Sequence, residues 1–250
     1  MTKRRTVLQM VQAERKQLPQ LGGKKLYYQL HQQPAYSCLK VGRDKLFSIL
    51  REYDLLVKHK RRYVTTTNSK HWLYKYPNLA RNKMLTGPEQ LWVSDITYVK
   101  TDEGNCYLNL VTDAFSRRIM GYAIADTMSA DVMKKAYEMA LGNRVHPPHS
   151  LMHHSDRGLQ YCSAEYVTLS KDNDVQISMT ENGDPYENAL AERINRTLKE
   201  EFGLGRLLPS RQKAYRLAEE AIYLYNNRRP HWSLKMKTPN QVHLQKIPIT

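Results

Sequence analysis

An aspartate stands in the middle of a run that otherwise asks to be buried. Leu91-Trp92-Val93-Ser94-Asp95-Ile96-Thr97-Tyr98-Val99 is apolar, β-branched and aromatic, the make-up of a central strand. A carboxylate there is costly unless it is paired, hydrogen-bonded or coordinates a metal. The fold must therefore carry Asp95 to a place where its charge is compensated. Around it the pattern is that of a sheet protein. Strands are predicted over 91–100 and 106–113, flanking the turn Thr-Asp-Glu-Gly-Asn, and over 117–125. A helix (130–141), a short strand (150–154), a helix (163–170) and a strand (175–178) follow. Two further helices are expected, one carrying Glu192 and a last one over 211–225.

Two other acids share Asp95's kind of setting. Asp156 closes Leu-Met-His-His-Ser-Asp, where Arg-Gly interrupts the strand pattern. Glu192 lies in Glu-Asn-Ala-Leu-Ala-Glu-Arg-Ile-Asn-Arg-Thr-Leu-Lys, which has helical periodicity. There Ala191, Ile194 and Leu198 fall on one face, while Asn188, Glu192, Asn195 or Arg196, and Lys199 follow another. Thirty-five residues separate Asp156 from Glu192, and Lys199 follows seven after the glutamate. Two strand-borne aspartates and a helix-borne glutamate suit hard divalent cations that bind through a few carboxylates plus a substrate phosphate.

The charge is divided along the chain. The net charge is +15, yet residues 1–88 hold 19 Lys+Arg against 4 Asp+Glu, and residues 89–250 hold 20 against 20. A basic first third on a neutral body reads as a nucleic-acid-binding region, with a solubilising tail as the bland alternative. Helices are expected over 5–17, 24–32 and 42–53, with 34–41 as a loop, so that 1–57 forms a small helical domain. Residues 58–88 form a basic and aromatic linker. Lys58, Lys60, Arg61 and Arg62 there suit phosphate contact, as do Arg43 and Lys45 in the helix before. A solvated linker and a small docking module are the competing readings. A mean hydropathy of −0.67 and the lack of an apolar run near ~18 residues give no membrane span. Cys38, Cys106 and Cys162 are isolated, as expected of reduced thiols in a cytoplasmic protein.

Several blocks in order resemble one family. They are Trp-Val-Ser-Asp-Ile-Thr-Tyr, Asp-Ala-Phe-Ser-Arg-Arg, His-Ser-Asp-Arg-Gly-Leu-Gln-Tyr, Asn-Gly-Asp-Pro-Tyr-Glu-Asn-Ala-Leu-Ala-Glu and Tyr-Asn-Asn-Arg-Arg-Pro-His. Over roughly residues 20–242 the chain resembles the DDE transposases of bacterial insertion sequences, in the retroviral-integrase superfamily. More narrowly, it resembles the second-frame (OrfB) product of two-frame elements. The resemblance implies an α/β fold: an RNase H-like catalytic core with a mixed five-stranded sheet over 89–205, a helix-turn-helix-like domain before it, and a C-terminal helix and tail over 206–250. It implies Asp95, Asp156 and Glu192 as catalytic metal ligands for two Mg²⁺ or Mn²⁺ ions. The implied activity is cleavage at transposon ends and transfer of the 3′-hydroxyl into DNA. Lys199, Arg196, Arg228 and Arg229 are then candidate DNA contacts, and His154 and Asn188 candidate supports of the acids. Asp113 is expected to order a turn.

The partners implied are double-stranded DNA (inverted repeats and target), further copies of the chain in a synaptic complex, and an upstream-frame product. The setting implied is the prokaryotic cytoplasm, at the nucleoid. A nuclease or resolvase without joining activity, and a non-catalytic DNA-binding regulator, are the alternatives.

Overall fold

The computed structural model describes residues 3–57, 74–146, 151–181 and 188–245. Four helices come first: α1 (Lys3–Gln17), α2 (Gly23–His31), α3 (Pro34–Cys38) and α4 (Arg43–Glu52). The expected loop over 34–41 is corrected by α3. Pro34 reads as a breaker, but at the first helical position its fixed φ is an advantage and its missing N–H costs nothing. Five residues are also too few to display a period. With α3 in place, only Leu39–Gly42 connects it to α4, within the three to four residues of a helix-turn-helix.

The sheet follows: β1 (Leu91–Thr101), β2 (Gly104–Asp113), β3 (Ile119–Ala125), β4 (Met152–Ser155) and β5 (Gln176–Met179), in the order β3-β2-β1-β4-β5. β1, β2 and β3 are antiparallel neighbours, while β4 lies parallel to β1 and β5 parallel to β4. The β1–β2 turn closes on Gly104 at φ +108, a conformation costly for residues with a Cβ. Strand alternation sends Trp92 and Val111 towards α5 (Ala130–Gly142) and α6 (Ala164–Asp172). On the opposite face, Val99, Leu108 and Leu110 share a cluster with α7 (Ala189–Glu201) and α8 (Arg211–Asn227). That cluster continues into Val7, Leu26, Leu46 and Leu50 of the N-terminal helices. Gly121 of β3 lets the α5 backbone in: a Cβ there would sit 2.0 Å from the Ala136 carbonyl oxygen.

β3 begins two residues later than expected. Asp113 is fully buried, and its carboxylate accepts the Ser116 N–H and hydroxyl (both 2.7 Å) and the Glu89 N–H (2.7 Å). The resulting turn holds Arg117 at φ +66, off the strand path. Asp113 thus orders the turn, as expected. At the edge, the Asn226 side chain pairs with Ile119 like a strand residue, accepting its N–H and donating to its carbonyl at 2.9 Å each. A blocked edge resists pairing with another chain.

Beyond the expected last helix the described residues continue as ordered elements rather than a tail. A 3₁₀ turn (Trp232–Leu234) leads to α9 (Pro239–His243), which opens with a Thr238–Gln241 capping box. His243 is fully buried, its Nδ1 2.9 Å from the Ser116 hydroxyl and its Nε2 3.2 Å from the Glu89 carboxylate. Burial alone would lower the His243 pKa, but the Asp113 and Glu89 carboxylates outweigh it and raise it. A raised histidine contributes stability that is complete below its unfolded value and is lost as pH rises through the folded one. The Tm is therefore expected to fall between pH 6 and pH 9, and to fall less in His243→Gln. Equal slopes in the two proteins would remove His243 as the cause.

Candidate active site

Strand register brings the two aspartates together. β1 pairs with β4 through Leu91–Met152, Trp92–His153 and Val93–His154. Two residues further along each chain come Asp95, in the middle of β1, and Asp156, just past the carboxyl end of β4, so the two lie side by side. Alternation turns Asp95 to the same side as Leu91 and Val93, which pack with Ala191 of α7.

Asp95 is half-buried. Its Oδ1 accepts the Ile96 N–H at 2.9 Å, and its Oδ2 accepts from Asn195 Nδ2 at 2.7 Å. Its pKa is pushed up to about 7, first by burial, then by the charge of Asp156, with a smaller push from Glu192. The two hydrogen bonds only partly offset this. The three predicted acids thus share one electrostatic neighbourhood. Asp156 closes a tight turn in which its Oδ1 accepts the Gly158 N–H at 2.9 Å. The turn is close: a Cβ at Gly158 would lie 3.0 Å from that oxygen and 3.1 Å from Gln160 Oε1, and a side chain would have to give way.

Glu192 occupies the first turn of α7, where the helix dipole favours an acid, and its side chain is exposed. Asn195 lies three residues further along the same helix, so one face of α7 carries both the glutamate and the amide that holds Asp95. Among the described residues, no three His, Cys, Asp or Glu side chains are gathered closely enough to hold a metal ion. The chemistry of the candidate donors still suits one: they are carboxylates, and the like charges of Asp156 and Glu192 that raise the Asp95 pKa are what a cation would relieve.

Asn188 is buried and donates to the Ser94 carbonyl at 2.9 Å, tying the start of α7 to β1. His154 is buried with its Nδ1 2.8 Å from the Ser178 hydroxyl, whose oxygen accepts the Leu79 and Ala80 N–H groups. It thus braces β4 against β5 and the segment at 79–80. His153, beside it, bonds the Ser94 and Tyr166 hydroxyls and stacks on Tyr137. Burial first, then the neighbouring His154, holds its pKa down at about 3, so it is neutral.

Among the cations, Lys199 sits over the Tyr98 ring, 4.2 Å from its centroid, and Arg196 is exposed. On α4, Arg43 and Lys45 are exposed, with Arg43 bonded to Asp44. Arg228 is exposed, its carbonyl accepting from Gln29 of α2 at 2.7 Å. Arg229 corrects the expected surface contact. It is buried and bidentate to Glu201 at 2.7 and 2.8 Å, and Lys25 lies 3.7 Å from the same carboxylate. Its guanidinium therefore fastens the end of α7. Lys58, Lys60, Arg61 and Arg62 lie outside the described residues. Sequence reasoning missed Asn195 as Asp95's partner, although its place on the Glu192 stripe was a signal.

Comparison with known proteins agrees with this architecture. Residues 86–185 and 173–239 match two integrase core domain families. The chain is 38% identical to the 31 kDa protein of insertion element IS600 from Shigella sonnei, over 80% of this chain and 74% of that protein. It is 33% identical to the transposase for insertion sequence element IS904 from Lactococcus lactis, over 68% of this chain and 70% of that protein.

The chain belongs to the transposases of bacterial insertion sequences.

Among solved structures, the HTLV-2 integrase catalytic core domain in complex with magnesium matches this transposase with a TM-score of 0.51. At 19% identity it covers 63% of this chain and 98% of that one, a likeness of fold. The RNase H-like integrase core is therefore the architecture of the transposase, with the helical region before it. As a member of this family it is a polynucleotidyl transferase of DNA transposition. Among the described residues no helix is long and apolar enough to cross a membrane.

Proposed function

We propose that this transposase cleaves DNA at the ends of its element and joins the freed 3′-hydroxyl to a second phosphodiester, with Asp95, Asp156 and Glu192 as the catalytic acids. The observation that carries this reading is that β1 and β4 set Asp95 and Asp156 side by side where β4 ends against the middle of β1, with the charges of Asp156 and Glu192 both bearing on Asp95. The three carboxylates would hold two Mg²⁺ or Mn²⁺ ions, which supply Lewis-acid activation of the nucleophile and charge neutralisation at the leaving oxygen.

The chain's own residues do the rest. Asn195 fixes one oxygen of Asp95, and the Gly158 N–H fixes one of Asp156, so two acids arrive oriented. Glu192 is the adjustable arm, exposed on the first turn of α7. In cleavage a water oxygen attacks phosphorus and the 3′-oxygen leaves. In joining that 3′-oxygen attacks a new phosphodiester and displaces its 3′-oxygen in turn. The partners in this reading are double-stranded DNA carrying the inverted repeats, target DNA and further copies of the chain in a synaptic complex. An upstream-frame product joins them, and the setting is the prokaryotic cytoplasm at the nucleoid. The exposed cations of α4 and the run Lys58–Arg62 supply phosphate contacts for capture.

The deciding assay incubates the protein and Mg²⁺ with duplex DNA of the flanking inverted repeats, pre-cleaved to expose the 3′-hydroxyl, plus plasmid target. Joined products are expected. Hydrolysis at the ends with no joined product, at any protein concentration or with Mn²⁺, would leave a nuclease instead.

A further inference from the structure

β1 continues past its partner. β4 pairs with it only through Val93, and Leu208 takes up the edge again from the Lys100 carbonyl onward, so among the described residues Asp95 to Val99 line an edge without a strand neighbour. Along this stretch Lys199, a candidate DNA contact, meets two side chains to which nothing above assigns a role. Lys199 Nζ is 4.2 Å and Lys100 Nζ 5.9 Å from the centroid of the Tyr98 ring. Neither lysine has a carboxylate within salt-bridge distance among the described residues, although the chain forms such pairs elsewhere. The Tyr98 hydroxyl takes no hydrogen bond there either, and Tyr98 is half-buried while Lys100 is exposed. The cluster adjoins the acids: Asn195, which bonds Asp95, lies one helical turn before Lys199.

Two like charges meeting on one ring repel each other, and the attraction of a ring face holds each only weakly. Flexible lysine stems in that state exchange readily to a stronger anion. A phosphate diester is one, and the ring left behind offers a flat face to a base. A free inorganic anion such as phosphate would use the lysines but leave the ring without a role. A nucleic-acid strand uses all three.

We infer that Tyr98, Lys100 and Lys199 form a platform for the DNA strand next to the phosphate under attack, the lysines taking phosphates and the tyrosine stacking on an unpaired base. This rests on the proposed transposition reading and deepens it by naming where the strand lies. It also implies that the DNA is frayed at the cleavage point, because a base inside a duplex has no free face.

The test is a fluorescence titration without metal ion, using inverted-repeat duplex with 2-aminopurine at the base flanking the cleaved phosphate. Binding to the wild type is expected to quench the probe, Tyr98→Phe to preserve the quench, and Tyr98→Ala to abolish it. The alanine variant should bind on the order of ten-fold more weakly, the usual scale for one stacked base. Lys100→Gln and Lys199→Gln should each reduce the slope of log K against log salt by about 0.7–0.9. A full quench in folded Tyr98→Ala, a Phe variant as defective as Ala, or unchanged salt slopes in both lysine variants would overturn the platform. Should Tyr98→Ala fail to fold, the slope of Lys100→Gln, altered at an exposed position, decides. The titration needs no cleavage, so a protein that quenches the probe but never cuts refutes the transposition reading and leaves the platform standing.

Discussion

Asp156→Asn and Glu192→Gln are expected to abolish both end cleavage and strand joining while binding inverted-repeat DNA within about two-fold of wild type. Both replacements keep size and hydrogen-bonding capacity and remove one negative charge. Loss of residues that merely orient metal ligands typically costs about 10–100-fold, so loss of a ligand should exceed about 100-fold. Glu192 is exposed and Asp156 closes a surface turn, so neither change opens a cavity. A second readout needs no catalysis. Mn²⁺ should raise the Tm of the wild type, because an ion that binds only the folded state stabilises it by mass action. In Asp156→Asn and Glu192→Gln that rise should shrink or vanish. Mn²⁺-dependent joining at a wild-type rate in either variant would be enough to reject the triad.

Gly121→Val is expected to give the largest loss of stability, at least about 3 kcal/mol, the upper end of what an overpacked core costs. At this chain length that is a Tm drop on the order of 10 °C. Overpacking is usually relieved by side chains changing rotamer. Here the obstacle is backbone: the Ala136 carbonyl oxygen 2.0 Å and the Ala140 nitrogen 2.6 Å from the added Cβ. Relief requires α5 to lift off β3, opening the cluster around Trp92, Met133 and Tyr137. Gly142→Ala is the control on the same helix, since nothing lies within 4 Å of its Cβ and α5 ends there. It should be neutral or slightly stabilising. Thermal melts of the two variants, side by side, decide; a Gly121→Val protein within about 1 kcal/mol of wild type contradicts the packing described.

Much of the fold was legible because it is written in short-range periods. Alternation over 91–100 and 106–113 and the 3.6-residue stripe around Glu192 each gave an element within a few residues of its observed bounds. Where the reading slipped, a local rule had two outcomes. Pro34 can break a helix or start one, and Arg117 reads as a strand residue until Asp113 captures Ser116 and turns the chain. The C-terminal stretch reads as a tail because His243 becomes a core residue only through Glu89 and Ser116, over a hundred positions earlier.

The acids themselves belong to the sequence: an aspartate inside an apolar strand, another at a strand's end, and a glutamate on an amphipathic helix, in spacing and blocks that belong to one family. Which amide holds Asp95, which arginine is spent inside on Glu201, and which lysines meet over Tyr98 were decided by tertiary structure alone. Secondary structure follows from neighbours a few residues away, so the chain carries it openly. A side chain's partner depends on how helices dock on the sheet, and Asn195 and Asp95 are a hundred residues apart before that docking brings them to 2.7 Å.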